Sequence, residues 1–231
     1  MSVRLHCCWV LVTFMALPAT AEEAIVDRVR PLIQAQYDAM DAAMVQQPYS
    51  TRSIVARRDN DPREEITTFR PDRPPGERER LETVNGEPPD RSDQRRFNRR
   101  PQPDERDDQP IRLQIDYDTL HLLEQQDDQL RLGFSTVLLL DGEESDYGRL
   151  FRGELIWDDR EEFLVQVDMH LTEAFSYRFF NLEGFTVSET FRKLDGRLVR
   201  DEYSHDIELR NRLLDLSNTA NIEFIYDTDD V

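Results

Sequence analysis

From Gln129 to the C-terminus the chain reads as one strand after another, and that rhythm limits the available folds more than any other feature. The runs fall at about Gln129–Leu140, Tyr147–Trp157, Glu162–Leu171, Ala174–Phe180, Phe185–Leu194, Leu198–Leu209 and Asn221–Tyr226. Between them stand Asp141-Gly142, Asp158-Asp159, Glu183-Gly184 and Asp195-Gly196. Such pairs suit tight hairpins, because glycine and the short acidic residues tolerate the left-handed backbone that two-residue turns demand. Several runs reach about ten residues, beyond the usual five or six. Long strands joined by tight turns make an antiparallel meander, and such a sheet twists and curls.

The sides of these strands are unlike. Phe163, Val165, Val167, Met169 and Leu171 share one side, opposed by Gln166, Asp168 and His170. Phe175, Tyr177 and Phe179 align on the next run, Phe185, Val187 and Phe191 on the one after, and Ile222, Phe224 and Tyr226 on the last. This predicts one broad apolar face, rich in Phe, Tyr and Val, that needs a cover. Two segments offer it. Ile25–Gln47 carries Ile25, Val29, Leu32, Ile33, Gln36, Met40, Ala43 and Met44 at helical spacing, with Pro31 marking a kink or a first turn. Tyr117–Glu124 reads as a short amphipathic helix bringing Leu120, Leu122 and Leu123 to a core.

Between the helices the pattern predicts strands at Tyr49–Arg58, Glu64–Phe69 and Arg80–Val84, with turns at Asp59-Asn60-Asp61-Pro62 and Asn85-Gly86. Asp90–Gln109 then holds six arginines and six acidic residues around Phe97 alone as a large apolar side chain. A segment with so little to bury reads as a flexible polar arm or a frayed helix. The fold class expected is α+β, mainly β: a curved antiparallel meander, or incurved half-barrel, under an N-terminal and a short mid-chain helix.

The first 21 residues read as a cleavable secretion signal. Arg4 and His6 form a polar head, Cys7–Leu17 an apolar run, and Ala19-Thr20-Ala21 a small-x-small site before Glu22. The run is shorter than the roughly 20 residues a spanning helix needs. Both cysteines, Cys7 and Cys8, lie inside it, so a mature chain of about 210 residues, 22–231, holds no disulfide. Neither cysteine directly follows the cleavage site, where lipid attachment would require it. The expectation is a single exported domain, monomeric and soluble in the periplasm. The formal net charge of −19 argues against nucleic acid as a partner. Lys193 is the single lysine among 29 basic residues, which fits bidentate Arg–carboxylate pairing and equally a genome-wide codon bias.

One stretch carries more than periodicity. Thr68-Phe69-Arg70-Pro71, Pro74-Pro75-Gly76-Glu77-Arg78 and Leu81-Glu82-Thr83-Val84-Asn85-Gly86-Glu87-Pro88-Pro89 resemble a pattern of bacterial exported proteins. That pattern runs Phe-x-Pro, a Pro/Gly turn, Trp-x-Leu, then Asn/Asp-Gly-x-x-Pro. The group is similar in layout to the periplasmic lipoprotein carriers and outer-membrane lipoprotein receptors. The resemblance implies an antiparallel half-barrel closed by helices, with an acyl chain or lipoprotein tail as cargo. Glu79 stands where the pattern has tryptophan, which implies an altered cavity.

No cofactor or catalytic residue is indicated. His121, His170 and His205 lack metal-ligand spacing. No nucleophile elbow, phosphate loop or dinucleotide fingerprint occurs. Asp227, Asp229 and Asp230 lack the glycine and final glutamate of a calcium loop. Three readings remain. In the first, Phe163, Val165, Val167, Phe175, Tyr177, Phe179, Phe185 and Phe191 line a site for an amphiphile, where burial at about 25 cal/mol per Å² would hold a chain of about 14 to 16 carbons; the same residues also fit a filled core. In the second, the chain is an envelope scaffold or regulator recruiting a protein through the arm or a strand edge. In the third it is a hydrolase of envelope material using scattered carboxylates.

Overall fold

A computed structural model of the chain describes residues 19–44, 46–57, 60–74, 76–100, 111–178, 180–211 and 215–226. The predicted signal lies almost wholly outside these residues. A helix, α1 (Ala19–Met44), comes first, with Pro31 inside it. The strands β1 (Tyr49–Arg57), β2 (Asn60–Phe69) and β3 (Glu79–Val84) follow, then a short helix α2 (Arg91–Phe97). After it come β4 (Ile111–Gln126), β5 (Gln129–Leu140), β6 (Glu143–Ser145), a 3₁₀ turn at Asp146–Leu150, and β7 (Phe151–Asp158). The chain ends with β8 (Phe163–Leu171), β9 (Phe175–Tyr177), β10 (Phe180–Leu194), β11 (Arg197–Asn211) and β12 (Asp215–Tyr226).

All the strands form one antiparallel sheet in the order β3-β2-β1-β12-β11-β10-β8-β7-β5-β4, with β6 added to β5 and β9 to β10. β3 and β4 are its two ends and do not pair, so the sheet is open rather than a closed barrel. The protein is α+β, mainly β. The last strand, β12, sits between β11 and β1, so the N-terminal strands are stitched to the C-terminal ones. Asn85-Gly86, Asp141-Gly142 and Asp195-Gly196 all have both residues at positive φ, between 50° and 85°. These are the type I′ hairpins that an Asx-Gly pair favours.

Helix α1 lies on one face of the sheet. Val26, Val29, Ile33, Met40 and Met44 are buried, each three, four or seven residues from the next, which keeps them on one side of a 3.6-residue helix. The first four pack with Leu130, Leu132, Phe134, Leu155, Trp157, Leu164, Val167, Val187 and Phe191 from β5, β7, β8 and β10. Gln36 fixes the register of helix on sheet: its Nε2 donates to Glu162 O (2.7 Å) and its Oε1 accepts from Leu164 N (3.2 Å). A second core holds Met44, Tyr49, Phe69, Val199, Phe224 and Tyr226, with Tyr49 stacked on Phe69 at 5.0 Å.

Several expectations are corrected or refined. Tyr117–Glu124 is not a helix but the middle of β4. Asp116 pairs Ser135 and His121 pairs Gly133, so Tyr117–Leu120 stand opposite Phe134 alone. Within that bulge Thr119 Oγ1 donates to Asp116 O (2.7 Å) and accepts from Ser135 N (2.8 Å), and the local turn drops Leu120 into the core. A local turn imitates helical spacing, while the adjacent β5 supplies the pairing that makes it strand.

The polar arm at 90–109 is ordered over its first part. Asp90 caps α2 by accepting from the N–H groups of Ser92 (2.7 Å) and Asp93 (2.8 Å), and Asp93 returns the bond, a capping box. Phe97 packs on Leu81 and Val84. Arg100 Nη2 reaches Glu65, a carboxylate 1% exposed, at 2.7 Å, and Arg63 Nε holds the same group at 2.6 Å. Residues 101–110 lie outside the described residues.

Glu183-Gly184 is a bulge within β10 rather than a turn, because Leu182 pairs Leu209 and Gly184 pairs Glu208. The run at Ala174–Phe180 is broken by Arg178 at φ 54° into β9 and the start of β10. At the N-terminal end, Pro62 falls in β2 opposite a register shift between Val55 and Arg57, a bulge that spares the ladder its missing N–H.

Candidate functional site: an apolar pocket beyond the helix

The face covered by α1 is only part of the concave side. Further along the same strands lies a pocket of about 230 Å³, partly open to solvent, with no residue of α1 in its wall. Leu113 of β4, Leu138 and Leu140 of β5 and Phe151 of β7 form one side. Phe175 and Tyr177 of β9, Leu182 and Phe185 of β10, and Ile207 and Leu209 of β11 form the other. Cross-strand pairing brings several together in register: Leu113 with Leu138, Leu182 with Leu209 and with Phe175, and Phe185 with Ile207. The bulge at Glu183 turns Leu182 and Phe185, three residues apart, to the same side.

The pocket itself measures the curl of the sheet. β4 and β11 are five strand spacings apart, roughly 24 Å on a flat sheet. Both nevertheless contribute to a single 230 Å³ space, a few side chains wide. The sheet therefore bends inward around it.

Its wall is aromatic at the centre. Phe151 meets Phe185 edge-on at 5.4 Å and Phe175 edge-on at 6.0 Å, while Phe175 stacks on Tyr147 at 4.5 Å. The one polar atom the lining side chains carry is the Tyr177 hydroxyl, which donates to Asp141 Oδ2 at 3.1 Å. Arg178 pairs with the same Asp141 oxygen, and its guanidinium lies 5.2 Å over the Tyr177 ring. Both charged side chains are about half exposed, at 53% and 48%. The pocket wall is thus hydrocarbon apart from that hydroxyl, and a half-exposed ion pair lies against Tyr177 beside it.

Of the residues singled out from sequence, Phe175, Tyr177 and Phe185 line this pocket. Val167 and Phe191 are buried in the core beneath α1, where Phe191 meets Tyr37 edge-on at 6.0 Å. Phe163 and Val165 do not line it. A bulge between Ile156 and Trp157 makes Val165 the extra residue of β8, so Leu164 and Val167 both turn inward. Phe163 is only half-buried, with Lys193 Nζ 4.9 Å from its ring centroid. Phe179 lies outside the described residues. Sequence reasoning missed Leu113, Leu138, Leu140, Phe151, Leu182, Ile207 and Leu209. Ile207 and Leu209 did carry a signal, alternating with Asp206, Glu208 and Arg210; Leu138 and Leu140 sit in an unbroken apolar run that names no side.

A second group of buried polar side chains ties α1 to the sheet. Arg200 donates to Glu189 Oε2 through Nε (3.2 Å) and Nη2 (3.0 Å), and the Tyr37 hydroxyl of α1 donates to that oxygen at 3.2 Å. Tyr226 donates to Arg200 O at 3.0 Å, and burial pushes its phenol up to about 12 against the opposing pull of Arg200. Tyr226 is therefore a neutral donor. Among the described residues no group of three or more His, Cys, Asp or Glu is placed to hold a metal ion. Among them, too, no helix is long and apolar enough to cross a membrane. No protein-family model, curated protein or solved structure significantly matches the chain.

Proposed function

We propose that this protein is an exported, non-enzymatic binding protein of the periplasm that holds the acyl part of a lipid, lipoprotein or other amphiphile. The observation that carries the reading is the pocket: about 230 Å³ of space walled by Leu, Ile, Phe and one Tyr, on a concave face that α1 leaves uncovered. A well-formed apolar concavity with few polar groups at its edge is what a small hydrophobic ligand requires. Each methylene taken from water into such a site contributes about 0.8 kcal/mol. The lining offers no acid–base pair or nucleophile apart from a tyrosine hydroxyl, which suits holding rather than turnover. The layout resemblance to lipoprotein carriers points the same way, as does the signal-like segment at residues 1–21.

The test is uptake of a fluorescent fatty acid together with native mass spectrometry of gently purified protein. Ile207→Trp, which fills the pocket from β11, is expected to abolish uptake while leaving the circular dichroism spectrum and melting unchanged. No uptake by the native protein, or full uptake by the filled variant, counts against the reading. Export is checked separately, by finding Glu22 as the first residue of protein recovered from a periplasmic extract.

A scaffold role has its own support in β4, an end strand of sixteen residues with Leu123 46% exposed. Among the described residues no strand pairs with its outer edge, and on either side of the bulge at Tyr117–Leu120 such an edge is a template for pairing with another chain. Loss of a partner after substituting proline along β4, with uptake intact, would favour it.

A further inference from the structure

We propose that the pocket selects a medium-chain anionic amphiphile, with the alkyl chain inside and an oxyanion head against Arg178. The inference rests on the acyl-binding reading and narrows it. It also revises the chain length that sequence alone suggested.

The length follows from volume. A methylene fills about as much space as a water in the liquid, roughly 30 Å³, so a pocket of 230 Å³ holds about eight. A chain of about 14 to 16 carbons at that size would leave half its methylenes outside. Gain from burial should therefore diminish beyond about the eighth carbon.

The head follows from the rim. Tyr177 belongs to the pocket wall, and Arg178 is the next residue, its guanidinium 5.2 Å over the Tyr177 ring. A guanidinium presents five N–H donors in a planar fork that matches carboxylate or phosphate oxygens in pairs. Among the described residues only Nη2 of Arg178 is engaged, by Asp141. The side chain is half exposed, so part of it faces water beside the Tyr177 wall of the pocket. An entering chain whose end stays at the mouth would set its head beside that fork. Asp141 is the competitor, since its carboxylate already occupies part of the same cation. A neutral or cationic head gains nothing from Arg178, and a cationic one is repelled.

The experiment is a displacement titration of a pocket-bound fluorescent dye, 8-anilinonaphthalene-1-sulfonate, at moderate salt. The competitors are hexanoate, octanoate, decanoate, dodecanoate and hexadecanoate, with octyl phosphate and 1-octanol as head-group controls. Affinity should rise about fourfold per methylene up to about eight carbons and then level off. Octyl phosphate should compete like octanoate, and 1-octanol less well. Arg178→Asn, which keeps a residue tolerant of the positive φ at that position, should weaken octanoate about two- to fivefold and leave 1-octanol unchanged. Asp141→Asn should strengthen octanoate and leave 1-octanol unchanged.

Affinity that keeps climbing to hexadecanoate overturns the length. Equal effects of Arg178→Asn on octanoate and 1-octanol overturn the head. In both cases acyl binding itself survives. If no member of the series displaces the dye, the acyl-binding reading falls, and this inference with it.

Discussion

Two polar sites on the concave side, one half-buried and one buried, make opposite predictions about charge. His205 is half-buried between Val187 and Ala220 on the neighbouring strands, its Nε2 facing Asn218 Nδ2 at 3.2 Å and its ring edge-on to Tyr203. Burial holds it below its ordinary 6.5, outweighing the upward pull of Asp206. In the unfolded chain the imidazole gains its proton near 6.5, while in the folded chain it resists until lower pH. Stability should therefore fall as pH drops below 6.5, until pH passes the folded value. Urea midpoints against pH should show this added acid loss in the native protein and not in His205→Gln; parallel curves would refute it. Glu189 and Arg200 behave differently, because each is the other's counter-charge, at 7% and 8% exposure. Arg200→Met alone leaves the Glu189 carboxylate buried without its counter-charge and should cost about 3–5 kcal/mol. Replacing both, Glu189→Leu with Arg200→Met, should recover most of that. Denaturant unfolding of the three variants reads the coupling directly, and additive losses would deny it.

At the scale of elements, bulges decide what the pocket becomes. Hairpins and strand centres were legible because their signals are local: Asn85-Gly86, Asp141-Gly142 and Asp195-Gly196 each announce a turn by backbone preference alone. Alternation likewise marked Phe175, Tyr177 and Phe185 as inward. A bulge has no such mark, since one extra residue reverses every side chain beyond it. That is why alternation alone places Phe163 inward, leaves Leu182 outside any strand, and lets Tyr117–Glu124 read as helix. Close approach across strands is equally silent in sequence. Gly153 of β7 lies opposite Phe134 of β5, and a Cβ there would stand 2.0 Å from the Phe134 ring. Phe134 is itself 1% exposed beneath α1, so the ring has nowhere to go. Gly153→Ala should accordingly destabilise by about 1–3 kcal/mol, measured by denaturant unfolding. Phe134→Leu in the same background should return part of the loss, and a neutral Gly153→Ala would show that the ring yields.

The whole molecule depends on a contact no local pattern announces. β1 pairs β12 from Tyr49–Tyr226 through Arg57–Asn218, joining segments that lie more than 150 residues apart. On one side of that seam stand β1, β2, β3 and α2; on the other stands the curled part of the sheet that holds the pocket. The second core straddles it, with Tyr49 of β1 within 5.7 Å of Phe224 and 6.1 Å of Tyr226 on β12, and Phe69 stacked behind. Phe97, Leu81 and Val84 form only a small satellite cluster. Three strands and a seven-residue helix with so little core of their own should not be stable apart from β12. A chain ending at Asn211 should therefore lose hydrogen-exchange protection throughout β1–β3. In the intact protein those amides should exchange with the same free energy as β11 and β12, because opening the seam removes their main core. Such a long-range pairing also has a high loop-closure cost and should make folding slow. Protection of β1–β3 that persists after truncation would mean that the N-terminal strands stand alone, and that the sheet is two cooperating parts rather than one.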